Sequence, residues 1–388
     1  MDASFFIAGR LRFKGNIAVL SIAISFLVMI IAVSVSSGFR RELRAGIADL
    51  SGDVRISPPS LALLDESLPV EKNAAYLEYI EDLEYVAEIR PVIYKAGIVK
   101  EGEDIHGVLF KGVERRNDTL PLQVSIPRSL SEISGLEPGD KMLTYFVGED
   151  VRLRQFNVAS VYDALVETDD KMIVYADIAD LRRVNGWEED YVSCIEILLD
   201  NDLRNADDIE AANDEIGTLI NAYSSDDEEF VIASSAISLY PQLFDWLDLI
   251  DFNVFFILIL MTIVAGFNMI SGLLIMLFEN ISTIGLLKSL GMTDRAISKV
   301  FLSSSAVLVL KGMAIGNLLA ILFCVIQNTT KVLRLDPENY FVSYVPVNLD
   351  PGMILTADVV SFVIIMFLLL IPCIFISKVD PAETVRVR

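Results

Sequence analysis

Apolar residues dominate four long runs of the sequence, and polar residues are gathered between the first run and the second. The runs cover residues 17–37, 252–278, 300–326 and 354–377. Each run can cross a bilayer, since a helix needs about 20 residues to span roughly 30 Å of hydrocarbon. The first run is too long for the apolar core of a cleavable signal peptide, and no clear small-residue cleavage site follows it. The pattern therefore predicts four transmembrane helices.

The segment between the first two runs changes periodicity repeatedly, which predicts a mixed α and β domain. Alternation and β-branched residues predict strands at 53–57, 91–99, 107–113 and 152–162, and helical spacing predicts helices at 74–86, 176–184 and 206–223. Residues 130–145 predict a short helix, a turn and a strand. We expect an α+β core with a smaller β-rich insert near 120–165.

A short amphipathic stretch, 279–292, lies between the second and third apolar runs. Ile281, Ile284 and Leu287 recur with the spacing of one helix face, and Leu290 extends that row. Gly291 is a natural stop, because glycine enters the left-handed conformation without steric cost. A helix flanked by two spans lies at the membrane face, where a partner protein can push on it.

Composition agrees with this division into apolar and polar parts. The 388 residues have a mean hydropathy of +0.51 and yet a net charge of −23. Residues 39–250 hold 19 Lys and Arg against 44 Asp and Glu, so this segment carries −25 and the remainder +2. An acidic surface argues against binding nucleic acid or anionic lipid. Three scattered cysteines do not make a disulfide framework, and we expect the single histidine, His106, not to ligate a metal.

Basic residues near the span ends predict the orientation. They cluster before span one, between spans two and three, and after span four: Arg10, Arg12, Lys14, Lys288, Arg295, Lys299, Lys378, Arg386 and Arg388. Both termini and residues 279–299 are therefore expected in the cytoplasm, and the acidic domain and residues 328–353 outside. Arg40, Arg41 and Arg44 oppose this orientation, but a large domain translocates largely regardless of its charge.

Polar and small residues inside the spans suggest helix contacts. Gly312 and Gly316 form a small-xxx-small pair that allows close approach of two helices, and Asn268 can bond across helices. Lys311 is a costly charge inside span three. We assign Asn268, Lys311, Gly312 and Gly316 to helix packing. A gate or charge-pairing role for Lys311 stays open, as does a displaced span boundary.

The chain resembles, over essentially its whole length, the permease family of the lipoprotein-releasing system, LolC and LolE, which belongs with FtsX and MacB. The resemblance depends on the order and spacing of several motifs. They are Gly38-Phe39-Arg40-Arg41-Glu42-Leu43 after span one, Ser282–Gly291 (with Thr283 where the family usually has an acid), Pro337, Tyr340, Phe341, Pro346 and Val347 before span four, Asp380-Pro381-Ala382-Glu383 near the end, and Ile126–Lys141 in the domain.

The resemblance implies a multi-pass protein of the bacterial inner membrane. Its fold would be four transmembrane α-helices plus an α+β extracytoplasmic domain, a MacB-like periplasmic core, inserted between helices one and two. The implied segments are 1–38 (cytoplasmic N-terminus and helix one), 39–250 (periplasmic domain), 251–278 (helix two), 279–299 (cytoplasmic coupling helix), 300–327 (helix three), 328–353 (periplasmic loop) and 354–388 (helix four and C-terminus).

The resemblance also implies the functional residues. An ATPase would dock on the coupling helix through Ile284, Gly285, Leu287, Lys288, Leu290 and Gly291. Acyl chains of a lipoprotein would occupy a cavity lined by Ile31, Val33, Val35, Phe252, Val254, Phe255 and Phe256. The implied partners are a LolD-like ATPase dimer, a second permease chain, lipoprotein cargo, a LolA-like periplasmic carrier and membrane lipids.

The chain itself carries no catalytic pattern. The sequence has no GxxxxGK[ST] phosphate-binding loop, no nucleophile elbow, no histidine pair and no CxxC. We therefore expect that it is not an enzyme and holds no cofactor, and that ATP and Mg²⁺ bind to the partner ATPase.

Two other functions remain open. One is an FtsX-like signalling subunit that activates a cell-wall hydrolase, and the other is a MacB-like efflux component. MacB carries its ATPase on the same chain, which this sequence lacks, and FtsX chains have a smaller outer domain. The large outer domain favours lipoprotein release. The sequence leaves open whether the chain is LolC-like or LolE-like, whether it pairs with itself, and which loop recruits the carrier.

Overall fold

The computed structural model describes residues 16–59, 69–101, 104–114, 121–146, 151–164, 172–200, 206–225, 228–336, 340 and 342–377. The basic residues expected before span one and after span four, and the motif at 380–383, lie outside these ranges. The chain divides into two compact units. The membrane unit comprises residues 1–41, 247–334 and 344–388, and the soluble unit comprises residues 42–246 and 335–343.

The helices and strands follow one another in a fixed order along the chain. The helices are α1 (Asn16–Ser51), α2 (Leu77–Glu81), α3 (Arg128–Ser134), α4 (Ile178–Asn185), α5 (Ala206–Tyr223), α6 (Ala236–Leu239), α7 (Pro241–Glu279), α8 (Ile281–Ser289), α9 (Asp294–Thr330), α10 (Pro351–Leu368) and α11 (Leu370–Ser377). The strands are β1 (Val54–Ser57), β2 (Val70–Glu71), β3 (Val86–Glu101), β4 (Asp104–Val113), β5 (Gln123–Pro127), β6 (Lys141–Phe146), β7 (Arg152–Tyr162), β8 (Met172–Asp177), β9 (Tyr191–Val192), β10 (Cys194–Leu199) and β11 (Ile232–Ser235).

The membrane unit contains the four predicted spans. Within the described part of the chain, α1, α7, α9 and the stretch Pro351–Ile374 are the four helices long and apolar enough to cross a membrane. This finding confirms the prediction from the apolar runs. The unit has its own core, to which the spans contribute buried side chains that include Phe26 of α1, Met269 of α7, Phe301 of α9 and Ile365 of α10. Helices α1 and α7 continue past their apolar runs, and each supplies residues to both units.

The soluble unit is an α+β domain, as the periodicity predicts. Nine of the described strands form one sheet in the order β11-β1-β10-β3-β4-β8-β5-β7-β6. Strand β6 also pairs with β3, through Ile98 with Tyr145 and Val99 with Thr144. The strands β3, β4, β8, β5, β7 and β6 therefore close into a small barrel.

Aromatic side chains fill the interior of this barrel. The rings of Phe110, Phe146 and Phe156 lie 5.0 to 6.1 Å apart between centroids, and all three are buried. Gly97 leaves room for them, because a Cβ there would lie 2.9 Å from both the Phe110 ring and the Thr144 methyl group.

Two secondary-structure predictions need correction. The helix expected at 74–86 is only α2, since Val86 already begins the long strand β3. The helix expected from residue 176 begins at Ile178, because the Asp177 side chain caps it by accepting from the amide of Ala179. The stretch near 120–165, expected to be a β-rich insert, contains β5, β6 and β7, and these strands lie in the same sheet as the rest of the domain.

Candidate coupling helix and cargo site

Helix α8 is a short helix set off from both neighbouring spans. It follows a break at Asn280, and it ends where Gly291 adopts the left-handed conformation with φ +90°, as the glycine position predicts. The next helix, α9, begins at once, with the Thr293 side chain as its cap. Lys288 Nζ bonds Asp294 Oδ1 at 2.9 Å, which fixes the end of α8 to the first turn of α9.

The two faces of α8 differ from the prediction. Ile284 is fully buried in the core of the membrane unit, Gly285 is buried as well, and Leu287 packs against the same core. Leu286 and Leu290 are 55% and 75% exposed. The row of Ile284 and Leu287 faces inward because it must cover the unit's own apolar core. Ile284 and Gly285, two of the residues predicted to contact an ATPase, are thus enclosed by the chain itself, and the exposed surface here is formed by Ser282, Leu286, Ser289 and Leu290.

The predicted cargo residues divide in the same way. Phe252, Phe255 and Phe256, near the outer end of the apolar run in α7, are each more than half exposed. Val254, Ile31 and Val35 are half-buried. Val33 is only 9% exposed, so in this chain it packs inside the membrane unit and not on its surface. The outer part of α1 is turned inward, since Ser34, Ser36, Ser37 and Gly38 around Val33 are all buried.

The loop before α10 holds the outer end of α1. A Cβ at Gly38 would lie 2.6 Å from the carbonyl carbon of Pro346 and 2.7 Å from the amide nitrogen of Val347. Asn348 donates its amide to Ser34 O at 3.0 Å and its side-chain Nδ2 to Ser37 Oγ at 3.0 Å. Two motifs that are distant in the sequence therefore meet here, and glycine is required because backbone lies directly against it.

An ion pair joins α1 to α7 beside this contact. The Arg40 guanidinium bonds the Asp251 carboxylate, and Ser36 Oγ donates to Asp251 Oδ1 at 2.8 Å. Arg41 Nη1 lies 3.4 Å from Asn348 Oδ1. Sequence reasoning did not identify Asp251 or Asn348. Two of the basic residues after span one, Arg40 and Arg41, therefore have polar partners in the same unit.

Small and polar residues bring the spans together. Asn268 of α7 donates to Ser21 Oγ of α1. On α9, a Cβ at Gly312 would lie 2.7 Å from Ile22 Cβ, and one at Gly316 would lie 2.9 Å from Phe26 Cβ, so both glycines pack against α1. Lys311 is exposed and does not pack within the unit, which corrects its assignment. Lys311 directly precedes Gly312 in the sequence, but successive helix positions are rotated by about 100°. Its side chain therefore points away from the face that Gly312 and Gly316 turn toward α1.

One intramembrane carboxylate was missed. Asp358 of α10 is buried, and its Oδ2 accepts from Asn317 Nδ2 of α9 at 2.5 Å. Nearby, the Thr262 and Ser361 hydroxyls are 3.2 Å apart and join α7 to α10. Polar residues inside spans usually face the interior of a bundle, and an acid within an otherwise apolar run was the available signal.

The chain is similar to several known proteins. Residues 255–381 match the family model described as FtsX-like permease C-terminal. The chain is 22% identical to "Lipoprotein-releasing system transmembrane protein LolC" of Neisseria meningitidis serogroup B, over 97% of this chain and 95% of that protein. It is 20% identical to the LolC protein of Xylella fastidiosa (strain Temecula1), again over 97% and 95%.

A solved structure, the periplasmic region of MacB from Actinobacillus actinomycetemcomitans, matches 50% of this chain and 95% of that chain at 11% identity. The TM-score of this match is 0.31.

Proposed function

We propose that this chain, a permease of the FtsX-like type that is similar to LolC along almost its whole length, releases lipoproteins from a membrane as part of an ABC transporter. It would extract lipid-anchored proteins from the inner membrane and pass them to a periplasmic carrier. ATP would be bound and hydrolysed by a separate ATPase dimer, and a second permease chain would complete the membrane part. No bond-breaking step is assigned to this chain itself.

The observation that carries the proposal is the exposed aromatic face near the outer end of the apolar run in α7. Phe252, Phe255 and Phe256 lie within one and a half turns, and Phe255 is 58% exposed. Ile259 and Leu260 continue the exposed apolar surface deeper along the helix. Transfer of an acyl chain of about 15 methylenes from an apolar environment to water costs roughly 0.8 kcal/mol of free energy per CH₂. A lipid anchor with two or three such chains therefore needs an apolar surface of this kind during extraction.

The energy would enter at α8. Its exposed face, Leu286 and Leu290, is an apolar surface small enough to fit a groove on a soluble ATPase. Its other face is buried in the core that α1, α7, α9 and α10 share. A push on the exposed face of α8 would thus act on the spans directly, because the opposite face of the same helix packs against them.

A photocrosslinker at Phe255 should capture lipoprotein in membranes. The position faces outward near the outer leaflet, where the lipid anchor begins. The crosslinked species would be identified by mass spectrometry. Addition of ATP together with the ATPase and the carrier should reduce capture, since the cargo would then leave.

Phe367 offers a matched control for this experiment. It is also an aromatic residue on a span, and it is 71% exposed, but it lies on α10. Crosslinks from Phe367 should yield phospholipid. If Phe255 also yields only phospholipid or a second permease chain in every nucleotide state, lipoprotein release is wrong, and the FtsX-like signalling function becomes the better explanation.

Orientation can be tested by cysteine labelling in intact cells. A membrane-impermeant maleimide should label Glu210→Cys, an exposed position of α5, and should fail to label Ser289→Cys on α8. The background should be low, because Cys194, Cys324 and Cys373 are buried, and burial raises the pKa of the Cys194 thiol to about 12. Labelling of Ser289→Cys before cell lysis would place α8 outside, where no cytoplasmic ATPase could reach it.

A further inference from the structure

A buried ion pair lies at the end of α1 in the core of the soluble unit. The side chains of Lys111 on β4 and Glu196 on β10 are 1% and 0% exposed, and Lys111 Nζ lies 2.8 Å from Glu196 Oε2. A lysine and a glutamate are rarely this completely buried unless they are paired. Burial raises the pKa of the Glu196 carboxyl, and the Lys111 ammonium acts in the opposite direction.

The lysine makes its two other hydrogen bonds to the last turn of α1. Its Nζ donates to Asp49 O at 2.6 Å and to Leu50 O at 3.1 Å. These carbonyls belong to the last four of a helix, which have no partner within the helix. The C-terminus of a helix also carries partial negative charge, which favours a nearby cation. All three ammonium protons of Lys111 therefore have acceptors, two of them on α1.

Tyr94 of β3 completes the contact. Its hydroxyl oxygen lies 2.6 Å from Leu50 O and 2.6 Å from Glu196 Oε1, so its one proton can be donated to either. The chain leaves the helix through Gly52, whose φ is +73°. The amide of Asp53 then donates to Ile197 O at 2.9 Å, which joins the exit of the helix to β10. We call Lys111, Glu196 and Tyr94 the helix-end clamp.

Stability alone does not require this arrangement. Replacement of a buried ion pair by apolar residues of similar volume is often neutral or stabilising, because the pair must first be desolvated. An ammonium with fixed acceptors nevertheless does something that apolar contacts cannot do: it specifies the position of two individual carbonyl groups. The last turn of α1 is thereby fixed relative to β3, β4 and β10.

We propose that Lys111, oriented by Glu196 and Tyr94, is a positioning residue for transport. By holding the end of the span-one helix to the sheet, it allows a displacement of that helix to move the soluble domain instead of being lost in fraying of the last turn. This inference rests on the proposed function, because it concerns the step that couples ATP hydrolysis to cargo release.

The test compares two variants with one control in the full chain, assembled with its ATPase in proteoliposomes. The double variant Lys111→Met/Glu196→Leu removes both members of the ion pair, so neither is left buried without the other, and it keeps Tyr94. Tyr94→Phe removes only a hydroxyl, and it gives a second measurement if the double variant folds poorly. The control, Arg128→Gln/Asp163→Asn, removes an exposed ion pair of the same domain.

Two quantities are measured for each variant: amide hydrogen exchange of residues 46–53, and lipoprotein released per ATP hydrolysed. The double variant should exchange at least about tenfold faster at the helix end, as expected when one or two local hydrogen bonds are lost. The barrel strands should keep their protection, and ATP hydrolysis should continue at the parent's rate. Release per ATP should fall several-fold in the double variant, less in Tyr94→Phe, and not at all in the control.

The contrary outcomes distinguish a failure of the clamp, a failure of the positioning role and a failure of the proposed function. If exchange at residues 46–53 does not change in either variant, the clamp does not hold the helix end and the inference is wrong. If exchange rises while release per ATP stays at the parent's value, the positioning role is wrong. If the parent itself releases no lipoprotein, the proposed function fails, and the positioning role in transport falls with it.

Discussion

Under the proposed function, replacement of Leu290 by Asp should prevent the chain from assembling with the partner ATPase. Leu290 directly follows the last residue of α8 and is 75% exposed, more than Leu286 of that helix at 55%, so its side chain would be enclosed by the docking groove. A carboxylate buried there without a partner costs several kcal/mol. A loss of about 3 kcal/mol weakens binding by more than about a hundredfold. Co-purification with a tagged ATPase, followed by a titration of binding, measures this effect.

Two substitutions control for non-specific damage. Leu290→Ala removes contact area without adding charge and should weaken binding much less than Leu290→Asp. Ile105→Asp places the same charge on an apolar residue that is 65% exposed in the soluble unit, and it should not affect ATPase binding. If the Leu290→Asp variant binds the ATPase with the parent's affinity, the exposed face of α8 is not the docking surface.

A single methyl group at Gly38 should destabilise the membrane unit. Alanine is normally the better helix residue, by about 0.5 to 1 kcal/mol. At Gly38, however, the new Cβ would overlap the backbone of Pro346 and Val347, and backbone atoms cannot move aside as a side-chain end can. Overpacking of this kind costs about 1–3 kcal/mol. We expect Gly38→Ala to lower the midpoint of thermal unfolding in detergent and to increase cleavage of the loop before α10 by protease.

Gly272→Ala is the matched control for that experiment. It introduces the same atom into another membrane helix, α7, where the new Cβ would lie 3.4 Å from Ala18 Cβ, an ordinary contact distance. This variant should be as stable as the parent or slightly more so. Equal midpoints for the Gly38 and Gly272 variants would contradict the close contact between α1 and the loop.

The sequence predicts the four spans and the short helix α8 well because these depend on local information. A run of apolar residues is enough to identify a membrane helix, and Gly291 is enough to end α8. Which face of a helix is buried depends on neighbours that are distant in the sequence. Ile284 and Leu290 belong to one predicted row, yet the first is buried and the second exposed, because only the first meets the shared core.

Contacts between segments that are distant in the sequence could not be predicted for the same reason. The partner of Asp358 is 41 residues away, and the pairing of β6 with β3 that closes the barrel has no local signature. The position of Val33 was predicted from the family resemblance and from its apolar character near the outer end of span one, neither of which says which way the side chain faces. The inward turn of α1 at that point is determined by Gly38 and by the loop that contains Asn348.

The place of β1 in the sheet has a consequence for the order in which the protein forms. Strand β1 follows the first span immediately, but its two neighbours are β10 and β11, the last strands of the sheet. At roughly 5 to 20 residues per second, the ribosome needs many seconds to add the residues that separate β1 from β10. During that time β1 is an unpaired edge that can bind another strand. The sheet can be complete only when β11 has emerged, and only the short helix α6 separates β11 from α7, so we expect the domain to complete its sheet shortly before the second span is synthesised.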